Sequence, residues 1–187
     1  ATVATAWSAY QAALWSGDES KFYFEASAAQ LDASHLNNQA MQRATIHAGL
    51  FVDYAAARSE GNEALADFLY QRFPAELRTA TDAWLATDPL NDPDAPASPF
   101  DMPEYRLQEE DAAAQLEQLS ETKFVEAGEA DEYADNYVLV TVIFAMVLFF
   151  SGIAGKFQWR AIDGAVLAFG IVVLLLGLIR LAQMPVQ

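Results

Sequence analysis

Seventeen consecutive residues, Tyr137 to Ile153 (YVLVTVIFAMVLFFSGI), contain no charge and no proline. An α-helix rises about 1.5 Å per residue, and about twenty residues cross the hydrocarbon core of a bilayer. Adding Ala154 and Gly155 brings the run to nineteen residues. A second apolar run, Gly164 to Ile179, follows a short polar turn. Backbone amides in lipid must be satisfied within their own segment, so such runs become helices. The expected fold is therefore all-α: an integral membrane protein with a C-terminal transmembrane helical hairpin, spans 137–155 and 161–182.

Charge is sharply divided along the chain. Of 26 acidic residues only Asp163 lies beyond residue 136, and of ten basic residues only Lys156, Arg160 and Arg180 do. The first 136 residues thus hold 25 acids against seven bases, a net −18. A surface of that sign repels nucleic acid and anionic headgroups, so neither is an expected partner; cations or a basic soluble protein would be attracted. With no cysteine there is neither a disulfide framework nor a thiolate metal site.

Residues 1–17 read as the end of a membrane helix: ATVATAWSAYQAALW has small apolar residues, then Trp7, Tyr10 and Trp15, and the first charge comes at Asp18. Aromatic rings of this kind collect at the membrane–water interface. The body of that first span would lie upstream of Ala1. Residues 18–136 are expected to form an acidic helical extramembrane domain. Gly17-Asp18-Glu19-Ser20 reads either as a helix break or as the point where the helix leaves the headgroups. From Phe22, the positions Phe22, Ala26, Ala29, Ala33, Leu36, Ala40, Arg43, His47, Leu50, Tyr54 and Ala57 alternate in steps of four and three, a heptad-type seam. Gly61 suits a left-handed helix end, and Asn62 suits the cap of the next helix. That helix runs to Phe73, and Pro74 opens another through Ala86. Five of the seven prolines fall between residues 88 and 103, marking a long irregular connection of the kind that packs down or binds something. A single helix is expected over 104–155, with Ala112, Leu116, Leu119, Ala127, Ala130, Ala134 and Tyr137 on one face. Its alanine seam and that of 22–57 are natural partners in a long antiparallel stalk.

Three stretches, TAWSAYQAALWSG (5–17), RFPAELRTATDAWLATDP (72–89) and SPFDMPEY (98–105), together with the two apolar runs, resemble a group of uncharacterised bacterial integral membrane proteins. The resemblance implies an N-terminal membrane helix, a helical soluble insertion and a C-terminal membrane hairpin. It implies no catalytic residue.

Candidate chemistry is sparse. His35 and His47 are twelve apart, not the spacing of a zinc-binding helix, and His47 at a seam position reads first as a buried, hydrogen-bonded ring. Asp88, Asn91, Asp92, Asp94 and Asp101 place many oxygens in one loop, as calcium requires, but without the EF-hand order. His47, His35, Asp92 and Asp94 are the metal candidates. Gly152, Gly155, Gly164, Gly170 and Gly177 are candidates for close helix packing in the membrane. Trp7, Tyr10, Trp15, Trp159, Asp163 and Arg180 are candidates for the membrane interface. No phosphate loop, nucleophile elbow or catalytic acid pair is visible, and neither a cofactor nor an enzymatic activity is expected.

The expected role is an accessory or scaffolding subunit. Its alanine- and glycine-bearing faces would pack against other membrane subunits, as in a respiratory or photosynthetic complex, or against copies of itself. Alternatives are a homo-oligomeric channel or transporter subunit, for which Thr141, Ser151 and Asp163 are the available polar groups, and a membrane-tethered enzyme or metal protein. Lys156 and Arg160 in the turn place that turn in the cytoplasm and the acidic domain in the periplasm of a bacterial inner membrane.

Overall fold

A computed structural model describes the backbone of residues 1–154 and 160–187, and the side chains of all these except 160–162. It is 82% helical, and no strand occurs among the described residues. The elements are α1 (Thr2–Ser59), α2 (Glu63–Tyr70), α3 (Ala75–Leu85), a 3-10 turn at Pro99–Asp101, α4 (Gln108–Ile153) and α5 (Arg160–Ala182). The expected turn at 155–160 falls mainly outside the described residues, as do Gly155, Lys156 and Trp159; the backbone of Arg160 opens α5.

Local signals explain most boundaries. α1 ends where Gly61 takes φ +73°, and Asn62 Oδ1 accepts the amide of Leu65 at 3.2 Å to cap α2. Pro74 takes φ −53° and precedes α3. Two expectations are corrected. Gly17 does not break α1, because one glycine costs a long helix only about 1 kcal/mol. The helix expected from 104 starts at Gln108, since Pro103 and the irregular residues after it delay its first turn.

By contacts the chain divides into two compact units, 1–27 with 120–187, and 28–119. In the first, the N-terminal part of α1 runs antiparallel to α4. Ser120 Oγ donates to Ala26 O at 2.9 Å, Lys123 Nζ pairs with Glu25 at 3.3 Å, and the Trp15 and Tyr133 rings lie 4.7 Å apart. Ser8, Gln11, Ala12 and Ala26 on α1 are buried, as are Ser120, Ala127, Ala130, Ala134, Tyr137 and Phe144 on α4. α5 packs tightly on α4 at Gly177, where a Cβ would stand 2.8 Å from Phe144 Cε1. The chain beyond α5 returns to the same level: Tyr137 Oη donates to Pro185 O at 2.8 Å, and Gln11 exchanges two hydrogen bonds with the Gln187 main chain at 3.0 and 3.1 Å.

Both α4 and α5 contain a segment long and apolar enough to cross a membrane, with mean hydropathies of 2.2 and 2.6. Only 22% and 11% of those stretches are buried within the protein.

In the second unit, α1 again pairs antiparallel with α4: Asn37 Nδ2 donates to Glu117 Oε1 at 2.9 Å, and Arg43 pairs with Glu109 at 2.8 Å. Tyr54, Ala57, Ala66, Phe73 and Leu77 form its core, with Phe51, Tyr70 and Phe100 packed around them. The proline-rich connection packs down onto this core. Pro99 is buried, Phe100 meets Phe51 edge to face at 5.9 Å, and Trp84 Nε1 donates to Pro96 O at 2.7 Å.

Candidate functional site

The second unit holds two features with chemical content. The first is a buried polar cluster around His47, which is 2% exposed. Four turns of heptad seam place His47 inward on α1, and the chain leading into α4 brings Tyr105 to it. His47 Nδ1 and Tyr105 Oη share a hydrogen bond of 3.0 Å, and their rings meet edge to face. Arg43, one turn away on α1, pairs with Glu109 at 2.8 Å and approaches Glu76 at 3.9 Å. Burial lowers the His47 pKa below its ordinary value; Arg43 lowers it further, while Glu76 and Glu109 oppose both. Tyr105 is pushed up to about 12, first by burial and then by Glu110 and Glu76. Near pH 7 both rings are therefore neutral. Arg43 occupies Glu109 Oε1, while Glu109 Oε2 is buried without a hydrogen-bond partner among the described residues.

The second feature is a cavity of about 270 Å³ where α1 and α3 end. Phe51, Tyr54 and Trp84 supply aromatic lining, and Leu85, Pro89 and Leu90 apolar lining. Arg58 and Glu63, ion-paired with each other and more than half exposed, stand at its rim. Leu90 is 92% exposed although it lines the cavity. Its turn is held by Asp88, at φ +53°, whose carbonyl accepts the amides of Asn91 and Asp92 at 3.0 and 2.9 Å.

The residues singled out in the sequence are scattered. His35 is exposed, whereas His47 is buried beside Tyr105. Asp92 accepts the amide of Asp94 at 2.9 Å in a local turn, and Asp101 accepts from Ser98 at 2.8 Å. Among the described residues no three His, Asp or Glu side chains converge as a metal site would require. Of the described membrane glycines, Gly177 meets α4 directly, while a Cβ at Gly152, Gly164 or Gly170 would find nothing within 4 Å. Trp7 and Tyr10 are 42% and 56% exposed, whereas Trp15 packs on Tyr133. Asp163 lies in the first turn of α5, and Arg180 in its last turn donates to Asn136 Oδ1 at 3.0 Å.

Sequence patterns missed the cavity entirely. Phe51 lies one step off the seam, and nothing local shows that Trp84 and Leu90 face it. They also missed Gln11, though a glutamine amid small apolar residues is the sort of group that must find a partner when buried. Comparison with protein-family models, with curated proteins and with solved structures finds no match.

Proposed function

We propose that the chain is a membrane-anchored accessory or scaffolding subunit, its acidic helical region projecting on the extracytoplasmic side. The observation that supports this reading is the outward face of α4 and α5. Val138, Leu139, Val142, Met146 and Phe149 on α4 are 46–63% exposed, and Ile171, Val172, Leu175, Leu176 and Ile179 on α5 are 54–61% exposed. Patches larger than a few hundred Å² are rare on soluble monomers, whereas lipid solvates such a surface without cost. The N-terminal part of α1 agrees. Gln11 meets the Tyr137 level through Gln187 and Pro185, so the residues before it run alongside the apolar part of α4, with Val3, Trp7 and Tyr10 outward.

The wide, acid-coated surface outside that apolar zone suits contact with a basic partner, or with neighbouring membrane subunits that its small-residue faces admit closely. The absence of cysteine makes the test direct. Single cysteines at Leu139, Phe149 and Leu176 are expected to resist a water-soluble maleimide in intact membranes. A cysteine at Ser34 is expected to react from the extracytoplasmic side. Ready labelling at all four positions, or release of the protein by alkaline carbonate, overturns the membrane reading. Labelling of Ser34→Cys only after the membrane is opened from the cytoplasmic side overturns the sidedness. Migration as a lone monomer that retains no partner from native membranes overturns the accessory role.

A further inference from the structure

We infer that the cavity between the ends of α1 and α3 is a binding site for a small organic cation, an ammonium bearing apolar arms. Its volume of about 270 Å³ lies just under the range of about 300–1,000 Å³ typical of drug-sized ligands, so its occupant is small. Phe51, Tyr54 and Trp84 contribute three aromatic rings to the lining, and aromatic rings attract ammonium groups. Phe51 and Trp84 meet edge to face at 5.5 Å, which fixes the wall. Leu85, Pro89 and Leu90, also in the lining, supply apolar contact for alkyl arms.

Two sources of negative potential converge there, and a third is freed when the ligand arrives. Arg58 and Ser59 in the last turn of α1, and Trp84 and Leu85 at the end of α3, line the cavity, so it sits against two helix C-termini. Glu63 adds a carboxylate at the rim. The surrounding region is strongly acidic, which enriches cations and depletes anions. Arg58 and the N-terminus of α2, which begins at Glu63, oppose these sources, and the Arg58–Glu63 pair is neutral as a unit. An incoming ammonium takes over Glu63, and the Arg58 head, already half exposed, swings into water. The Leu90 lip is the second observation pointing to an occupant. A large apolar side chain is held 92% exposed on a turn that main-chain and Asn91–Asp88 side-chain hydrogen bonds keep in place. An occupant of the cleft would cover it.

The test uses the full chain in detergent with Trp7, Trp15 and Trp159 changed to Phe, leaving Trp84 as the sole tryptophan reporter. Tetraethylammonium chloride is the probe, because it is too hydrophilic to partition into micelles, and sodium chloride at equal ionic strength is the control. The expected result is a saturable change in Trp84 fluorescence with tetraethylammonium alone. Ala55→Phe, which fills the cleft from an exposed position, is expected to abolish it. Glu63→Gln is expected to weaken it about fivefold or more. Arg58→Ala is expected to tighten it roughly two- to fivefold, because it frees Glu63 from an exposed ion pair. Absence of saturation, an unchanged signal in Ala55→Phe or Glu63→Gln, or weaker binding in Arg58→Ala overturns the inference.

Discussion

At the scale of residues, His47 shows how a seam position becomes a chemical liability. Its ring is enclosed with Tyr105 and stands near Arg43, Glu76 and Glu109, and its pKa is held below the ordinary histidine value. The unfolded chain therefore takes up a proton before the folded one does. Stability from this group is full above about pH 6.5, falls as pH drops through that value, and levels off below the lowered folded pKa. The thermal midpoint is expected to fall between pH 7.5 and 5.5, and His47→Gln is expected to flatten that slope. An unchanged slope would assign the acid sensitivity to the carboxylates instead. Gly177 offers a contrast of another kind. Gly177→Leu drives a side chain into the Phe144 ring and is expected to cost about 1–3 kcal/mol in detergent unfolding, whereas Gly164→Leu, with open space around it, is expected to be near neutral. Equal losses at both positions would mean that the two helices do not meet at Gly177.

At the scale of elements, the seam of α1 was readable and that of α4 only partly. Alanines at 26, 29, 33, 40 and 57, with His47 and Tyr54, are all buried as the heptad spacing predicts, while Arg43 reaches out of the seam to Glu109. On α4 the pattern holds at Ala127, Ala130, Ala134 and Tyr137 but slips by one position earlier. Ala113 and Ser120 are buried, whereas Leu119 is 46% exposed. A hydrophobicity rule chooses Leu119. Close packing against Ala26 chooses the smaller Ser120, whose hydroxyl also satisfies the Ala26 carbonyl. Ser120→Leu is accordingly expected to destabilise by about 1–3 kcal/mol, and Leu119→Ser to change stability by less than about 0.5 kcal/mol. Thermal unfolding of the two variants decides between the registers, and the reverse order would restore Leu119 to the seam. The cavity was illegible for a related reason. It is built from the ends of α1 and α3 and the turn at Leu90, and periodicity says nothing about how a proline-rich connection folds back.

At the scale of the molecule, composition alone placed the apolar and acidic segments correctly along the chain, because hydropathy needs no partner to be read. The arrangement of the helix ends needed coordinates. Gln11, Asn136, Tyr137, Arg180, Pro185 and Gln187 are linked by hydrogen bonds at one level, where α4 enters its apolar stretch and α5 leaves its own. From that level the charge-free part of α4, Tyr137 to Ile153, extends about 25 Å, and that of α5, Gly164 to Ile179, about 24 Å. Rods of nearly equal reach that share a fastened end cannot each choose an inclination of their own. In the proposed setting a thicker or thinner bilayer is therefore met by tilting them together, and through Gln11 the strain passes to α1.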